Sequence, residues 1–131
     1  MIALDTNVLI RFLVEDDPVQ CRQAKALIQR AIDSAEPCFV PEVVLCEVVW
    51  VLEASYKVER PEIAAVLGQL LLAQHLAFPS TERLRRALAA YRSGRGGFAD
   101  YLIREAALEE GCESVATFDR ALLREESFIH P

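Results

Sequence analysis

The stretch MIALDTNVLI at residues 1–10 contains the signals that decide the fold. Residues 2–4 are a short apolar run typical of a buried strand, and Asp5 follows this run directly. Asn7 can cap a brief helix that continues to about Val14. A buried strand that leads through an acidic residue into a helix predicts a protein of the α/β class.

Short apolar runs and longer helical segments alternate along the rest of the chain. Further strand-like runs lie at residues 38–40, 76–78 and 114–116, and each connection is long enough for a crossover. Short apolar strands separated by helices imply a parallel sheet that is covered on both faces. We therefore predict a three-layer α/β fold, with a short central parallel sheet of about four to five strands flanked by helices.

Several predicted helices have recognisable ends. Asp17, Pro18 and Gln20 supply an N-cap, a proline at the first helical position and a capping-box residue. Gly111 marks the end of a helix that begins near Phe98. Other helix starts are predicted at Pro41, at Pro61 and at Ser80 or Thr81.

The composition indicates one reduced, non-membrane domain. The chain has 131 residues without a linker or repeat, so residues 1–131 are predicted to form a single domain. The longest apolar run, residues 43–52, is interrupted by Cys46 and Glu47 and is too short to span a membrane. The N-terminus does not resemble a signal peptide. The four cysteines are widely spaced without a CxxC motif, which is typical of a cytoplasmic protein.

The basic residues are distributed unevenly. The formal net charge of −6 argues against a general nucleic-acid-binding protein, which is normally basic. Between Arg83 and Ala99, however, there are five arginines and no acidic residue. The planar guanidinium group suits phosphate, although arginine is also common on solvated helix faces. We hypothesise that Arg92 and Arg95 contact the backbone of a nucleic acid.

Four acidic residues are candidates for one functional site. Asp5 follows the first strand, and Asp119 lies just beyond the strand at residues 114–116. Glu47 lies two turns into a helix, and Asp100 lies in the first turn of the helix that follows the glycine-rich loop SGRGG, which is expected to be flexible. Ligands of open α/β sheets bind outside the carboxyl ends of the strands. One rim could therefore hold all four acids.

Glu47 is the most unusual of these residues. Its helix is apolar nearly all round, so we expect Glu47 to be buried and to need a partner or a metal ion. A buried arginine or a backbone group could also satisfy it. Each of Asp5, Asp100 and Asp119, taken singly, could be a helix cap.

Grouped carboxylates indicate a hard divalent cation. Without local counter-charges they repel one another, and a bound cation relieves this repulsion. Oxygen ligands favour Mg²⁺ or Mn²⁺ over zinc, and His75 and His130 do not have the spacing of a zinc site. Ions held in this way can activate water and stabilise the departing oxygen of a phosphodiester.

Four motifs resemble those of the PIN-domain ribonucleases, most of all the VapC-type toxins of bacterial toxin–antitoxin modules. They are residues 4–10 (LDTNVLI), the helical Glu47, residues 98–103 (FADYLI) and residues 117–120 (TFDR). Their order and spacing cover essentially the whole chain. The resemblance therefore implies a PIN-like fold over residues 1–131.

The resemblance also implies an activity and partners. It implies an endoribonuclease that depends on Mg²⁺ or Mn²⁺, in which Asp5, Glu47, Asp100 and Asp119 hold the metal directly or through water. Asn7 and Thr117 would support the site, although either could be a simple cap. The expected partners are the RNA substrate, a second copy of the chain in a homodimer, and a cognate VapB-type antitoxin that blocks the site.

Two other interpretations remain open from the sequence. The chain could be a catalytically inactive PIN-like domain that serves as an antitoxin- or RNA-binding module. It could also be an acyl-phosphate enzyme or a receiver domain that uses Asp5 as its nucleophile. However, the second aspartate of the phosphatase DxD pattern is missing, and a receiver-like site would want a lysine after a late strand, where neither Lys25 nor Lys57 lies. Cleavage of DNA is a further possibility, since a metal site does not itself recognise a 2′-hydroxyl.

Overall fold

A computed structural model describes residues 1–131. The chain folds into two compact units, Met1–Glu59 with Gln69–Pro79 and Arg60–Gly68 with Ser80–Pro131, which are called here the first and second units. None of the helices is both long and apolar enough to cross a membrane. The helices are α1 (Thr6–Leu13), α2 (Pro18–Ser34), α3 (Glu42–Ala54), α4 (Arg60–Leu72), α5 (Thr81–Ser93) and α6 (Phe98–Glu109), with a 3₁₀ turn at Leu122–Arg124; the strands are β1 (Cys38–Phe39), β2 (Leu76–Ala77), β3 (Val115–Ala116) and β4 (Phe128–Ile129).

The first unit contains a parallel pair of strands and the packed helices α1, α2 and α3. In this pair Cys38 of β1 lies opposite Leu76 of β2. Ala3 adds an isolated parallel bridge to Phe39 on the other side of β1. Contacts of α1 with both α2 and α3 surround a core in which Leu9 and Val48 are fully buried. This arrangement places the first turn of α1 beside α3.

The second unit is built from α5 and α6, the first nine residues of α4, and a second pair of parallel strands. Val115 of β3 lies opposite Phe128 of β4. The rings of Tyr91 in α5 and Phe98 in α6 meet edge to face, with their centroids 6.1 Å apart. Both rings and that of Tyr101 are almost completely buried, so aromatic packing between α5 and α6 forms the core of this unit.

The fold class predicted from the sequence is confirmed, because the chain is an α/β protein with parallel strands. The strands form two separate pairs of two-residue strands, whereas the sequence predicted one sheet of about four to five strands. β4 was not identified from its sequence. The run at residues 2–4 was expected to be buried, but Ile2 is 58% exposed and only Leu4 is buried. The three-layer arrangement and the single domain over residues 1–131 stay predictions.

Most of the helix starts agree with the predictions. The side chain of Asp17 accepts a hydrogen bond from the Gln20 amide at 3.0 Å, and Ser80 caps α5 in the same way. Gly111 follows α6 with a φ of +88°, as a helix-ending glycine should. The cap of α1 is Asp5 and not Asn7, because the Asp5 carboxylate accepts the Thr6 amide at 2.8 Å.

The glycine-rich loop between α5 and α6, which the sequence predicted to be flexible, makes specific contacts with other residues of its unit. The Arg60 guanidinium donates to the carbonyl oxygens of Tyr91 and Gly96 at 2.9 and 2.8 Å. The buried Tyr101 hydroxyl accepts from the Gly96 amide at 2.9 Å and donates to the Glu125 carboxylate at 2.7 Å. Arg60 and Glu125 lie far from the loop in the sequence, which is why composition alone suggested mobility.

Close packing explains why glycine occupies this loop. A Cβ atom at Gly94 would lie 1.9 Å from the Tyr101 hydroxyl oxygen, and one at Gly96 would lie 2.5 Å from a methyl carbon of Leu122. Both distances are far below van der Waals contact. In contrast, a Cβ at Gly68 in α4 would meet the end of the flexible Arg92 side chain at 3.0 Å.

We predict that Gly94→Ala destabilises the protein and that Gly68→Ala does not. Gly94→Ala should lower the free energy of unfolding by about 1–3 kcal/mol or more, because the new methyl group displaces Tyr101. Gly68→Ala should leave it unchanged or raise it by up to about 1 kcal/mol, because alanine favours a helix and Arg92 can move aside. Denaturant unfolding of both variants measures the difference, and equal stabilities would contradict this account of the loop.

Candidate active site

One residue joins two of the four candidate acids. The backbone amide of Thr6 donates to Asp5 Oδ1 at 2.8 Å, and its hydroxyl donates to Glu47 Oε2 at 3.0 Å. Thr6 is itself buried, with 8% of its surface exposed. The first turn of α1 is thereby tied to the middle of α3, across 41 positions of sequence. The structure thus places Asp5 and Glu47 at one site.

Glu47 is exposed, so the prediction of a buried carboxylate was wrong. The buried face of α3 consists of other residues, among them Val44 and Val48. Glu47 lies on the outer face together with Val43 and Trp50, which are 62% and 66% exposed. These two apolar residues made the helix look apolar all round. The argument that burial forces Glu47 to find a partner therefore does not hold.

Asp5 and Glu47 line a solvent-open cleft of about 380 Å³ in the first unit. Asn7 in the first turn of α1 and Arg11 in its second turn also line it, and Tyr56 contributes from the segment after α3. Arg11 is the only basic residue of the lining. The remaining lining residues are Thr6, Ile10, Val51 and Ser55.

Asp100 and Asp119 both belong to the second unit, and each is held by a backbone amide. Asp100 lies in the first turn of α6, where its Oδ2 accepts from the Gly97 amide at 2.8 Å. Asp119 is exposed after β3, and its Oδ1 accepts from the Ala121 amide at 2.9 Å. The amide of Asp119 in turn donates to the Thr117 hydroxyl oxygen at 3.0 Å, so Thr117 contacts the turn that positions Asp119.

The four acids share a hydrogen-bonding pattern. Each uses one carboxylate oxygen to accept from a neutral donor, and the other oxygen has no hydrogen bond within the protein. None of the four forms an ion pair, whereas Glu105 and Glu109 of α6 do. An oriented carboxylate with an unshared oxygen is a suitable ligand for a hard cation. The donor set therefore fits Mg²⁺ or Mn²⁺.

The structure brings together only two of the four candidate acids. It places no three His, Cys, Asp or Glu side chains together as a group that could hold a metal ion. Asp5 and Glu47 form a pair in the first unit, and Asp100 and Asp119 lie in the second unit. A site made of all four carboxylates stays a prediction.

The arginines between residues 83 and 95 fall into two groups, those that form ion pairs and those that do not. Although no acidic residue lies within the run, three of its five arginines pair with acidic residues outside it. Arg92 and Arg95 are exposed and form no ion pair, so the hypothesis that they contact a nucleic acid stays open. The paired arginines are Arg83 with Glu109, Arg86 with Glu105 and Glu109, and Arg85 with Glu82.

Sequence reasoning gave no role to Thr6, Arg11 or Tyr56, although all three line the cleft. A signal existed for two of them. Thr6 directly follows Asp5 in the sequence. Arg11 lies four residues after Asn7, which places Arg11 and Asn7 on the same face of a helix. Tyr56 lies in a connecting segment, and nothing in the local sequence relates it to Asp5.

Comparison with known proteins gives a consistent result. The family model of the PIN domain matches residues 2–125. A VapC ribonuclease from Aquifex aeolicus (strain VF5) is 32% identical over 118 residues, which cover 89% of this chain and 86% of that protein. The match includes both units and all four candidate acids. The chain therefore belongs to the PIN-domain family and is a relative of the VapC ribonucleases.

Proposed function

We propose that this protein is an endoribonuclease dependent on Mg²⁺ or Mn²⁺, and that it acts as the toxin of a toxin–antitoxin module. The observation that carries the proposal is the pair of carboxylates, Asp5 and Glu47, which Thr6 holds in one open cleft without a basic partner. The relative named a VapC ribonuclease supports the choice of RNA as the substrate.

In this proposal the metal ligands are Asp5, Glu47, Asp100 and Asp119. The chemistry that Mg²⁺ supplies when bound is activation of a water molecule and stabilisation of the departing oxygen of the phosphodiester. The protein's own part is orientation. Hydrogen bonds from neutral donors fix one oxygen of each carboxylate without neutralising its charge, so the second oxygen stays available.

Three further roles belong to the same proposal. Asn7 supports the site from α1, where it lines the cleft beside Asp5. Thr117 supports the site because its hydroxyl oxygen accepts a hydrogen bond from the Asp119 amide. Arg92 and Arg95 contact the RNA backbone, since both are exposed and neither is engaged by an acid.

The proposed partners are a second copy of the chain in a homodimer and a cognate VapB-type antitoxin that covers the cleft. The net charge of −6 suits a partner with a basic segment. The four cysteines are all free thiols, in agreement with a reducing compartment. We therefore place the proposed activity in the cytoplasm, where its RNA substrates are made.

One observation favours a second candidate, an inactive PIN-like domain that binds an antitoxin or RNA. Asp5 caps α1, Asp100 accepts an amide in the first turn of α6, and Asp119 closes a short turn. Helix and turn capping would be enough to explain these three aspartates without catalysis. The two candidate functions differ in one respect. Only the ribonuclease needs the negative charge of Asp5 in addition to its role as a helix cap.

We predict that Asp5→Asn abolishes metal-dependent RNA cleavage while preserving the fold. Asparagine caps a helix as well as aspartate does, so stability should change by less than about 0.5 kcal/mol. The lost charge should lower kcat/KM by more than about 100-fold, beyond what the loss of a supporting contact costs. Cleavage of a labelled RNA with excess Mg²⁺ or Mn²⁺ measures this, and EDTA should abolish the wild-type activity.

Asp17→Asn is the matched control, because it makes the same change at the N-cap of α2, outside the cleft. It should keep wild-type activity. Induced expression should arrest growth with the wild type and with Asp17→Asn but not with Asp5→Asn. Full cleavage in EDTA would rule out the metal mechanism, and no cleavage by the wild type under any condition would favour the inactive binding domain.

We predict that Thr6→Val raises the Mg²⁺ concentration needed for half-maximal activity by about 10- to 100-fold. Valine matches the shape of threonine but removes the hydroxyl that orients Glu47. Thr6→Ser keeps the hydroxyl and should stay close to the wild type. A metal titration of the cleavage rate separates the two variants. If Thr6→Val and Thr6→Ser require the same Mg²⁺ concentration, Thr6 does not position Glu47.

A further inference from the structure

Arg11 is the only positive charge in a cleft that carries two carboxylates. It lines the cleft together with Asp5 and Glu47 and projects from the same helix as Asn7. About 29% of its side chain is exposed, so its guanidinium can be reached from solvent. A phosphate group that enters this cleft would meet two negative charges and one positive charge of the protein.

Three neighbours hold the Arg11 guanidinium in place. Nε donates to Gln20 Oε1 at 2.7 Å, and Nη1 donates to Asp16 Oδ1 at 3.2 Å and to the Tyr56 hydroxyl oxygen at 3.3 Å. Nη2 has no hydrogen-bond partner. The group is therefore oriented in advance, and two of its N–H donors are left for a ligand.

Tyr56 strengthens the support for Arg11. Its hydroxyl donates to Asp16 Oδ2 at 2.7 Å, next to the Asp16 oxygen that accepts from Arg11. This hydrogen bond, together with the Arg11 charge, lowers the pKa of Asp16 from its ordinary value. Asp16 thus accepts from both Tyr56 and Arg11, and these two hydrogen bonds keep Arg11 in position.

A purely structural ion pair is the competing explanation. Such a pair would gain most from two parallel N–H···O bonds between Arg11 and Asp16, but only Nη1 reaches the carboxylate. Both partners are partly exposed, and an exposed ion pair contributes little to folding. Stability alone therefore gives little reason for three groups to orient Arg11 at the cleft.

We propose that Arg11 binds a backbone phosphate of the RNA in the cleft of Asp5 and Glu47, through its Nη2 group. The guanidinium offers planar donors that match phosphate oxygens, and its charge offsets the repulsion between RNA and the two carboxylates. This inference rests on the proposed function, because it takes RNA as the ligand. It assigns the substrate contact to Arg11 and the positioning of that contact to Asp16, Gln20 and Tyr56.

The test compares Arg11→Gln with Asp16→Asn. Both variants break the ion pair, but only Arg11→Gln removes the phosphate contact. Arg22→Gln removes the same charge from the exposed surface of α2 and serves as the control. Binding of a fluorescein-labelled single-stranded RNA oligonucleotide of mixed sequence is measured by anisotropy between about 50 and 200 mM salt. Ca²⁺ replaces Mg²⁺ in this assay, so that binding is read separately from cleavage.

Arg11→Gln should weaken RNA binding by about 10-fold or more and should reduce the slope of log Kd against log salt by about 0.7. Arg22→Gln should keep the wild-type slope and Kd. Asp16→Asn loosens Arg11 without removing its charge, so it should keep the wild-type slope and weaken binding less than Arg11→Gln does. Equal losses in Arg11→Gln and Asp16→Asn, with the slope unchanged in both, would show a structural ion pair and overturn the proposal.

Two further measurements keep the result interpretable. Thermal unfolding checks that each variant folds, and Arg11→Lys replaces Arg11→Gln if the latter does not. Lysine keeps the positive charge, so Arg11→Lys should keep the wild-type salt slope. Because lysine has no second terminal nitrogen, Arg11→Lys should bind RNA more weakly than the wild type. Wild-type affinity in this variant would contradict the proposal. If the wild type neither binds nor cleaves RNA, the proposed function itself fails. If it does both and Arg11→Gln is unaffected, only the role of Arg11 fails.

Discussion

The site depends on the Thr6 hydrogen bonds, which hold two carboxylates of like charge at one cleft. Asp5 caps α1 and Glu47 lies in α3, and each accepts one hydrogen bond from Thr6. A basic partner would also orient them, but it would neutralise the charge that a cation needs. Because Thr6 is neutral and buried, it orients both groups and leaves their charge intact. The packing of α1 against α3 is the part of the fold that makes this contact possible.

The aspartates combine local stability with a candidate ligand role. Asp5, Asp100 and Asp119 each accept a backbone amide at the start of a helix or turn, which stabilises that segment and fixes the side chain. The same pattern makes them hard to interpret from sequence, since a cap and a preorganised ligand use the same residue type. Their charge partners distinguish them from two glutamates of α6. Glu105 and Glu109 are engaged by arginines, and the three aspartates are not.

Local signals predicted much of this structure, and long-range contacts account for what was missed. The caps at Asp17 and Ser80 were predictable because a cap depends on three or four neighbouring residues. The exposure of Glu47 was not, because apolar residues share its outward face. The fixed loop before α6 depends on Arg60 and Tyr101, which its own composition does not reveal. Strands of two residues carry too little pattern to predict their pairing. Motif spacing predicted the four acids as one site, which stays a prediction, and nothing in the sequence predicted the contact between Asp5 and Glu47 through Thr6.

Titration of the protein with Mn²⁺ by calorimetry, in the absence of RNA, tests the metal site most directly. The wild type should bind Mn²⁺, and Glu47→Gln should bind it about 10- to 100-fold more weakly, because an amide oxygen replaces a carboxylate oriented by Thr6. The free energy of unfolding of metal-free Glu47→Gln should differ from that of the metal-free wild type by less than about 0.5 kcal/mol, since Glu47 is exposed. Equal Mn²⁺ affinity in both proteins, or no Mn²⁺ binding by the wild type, would contradict the account.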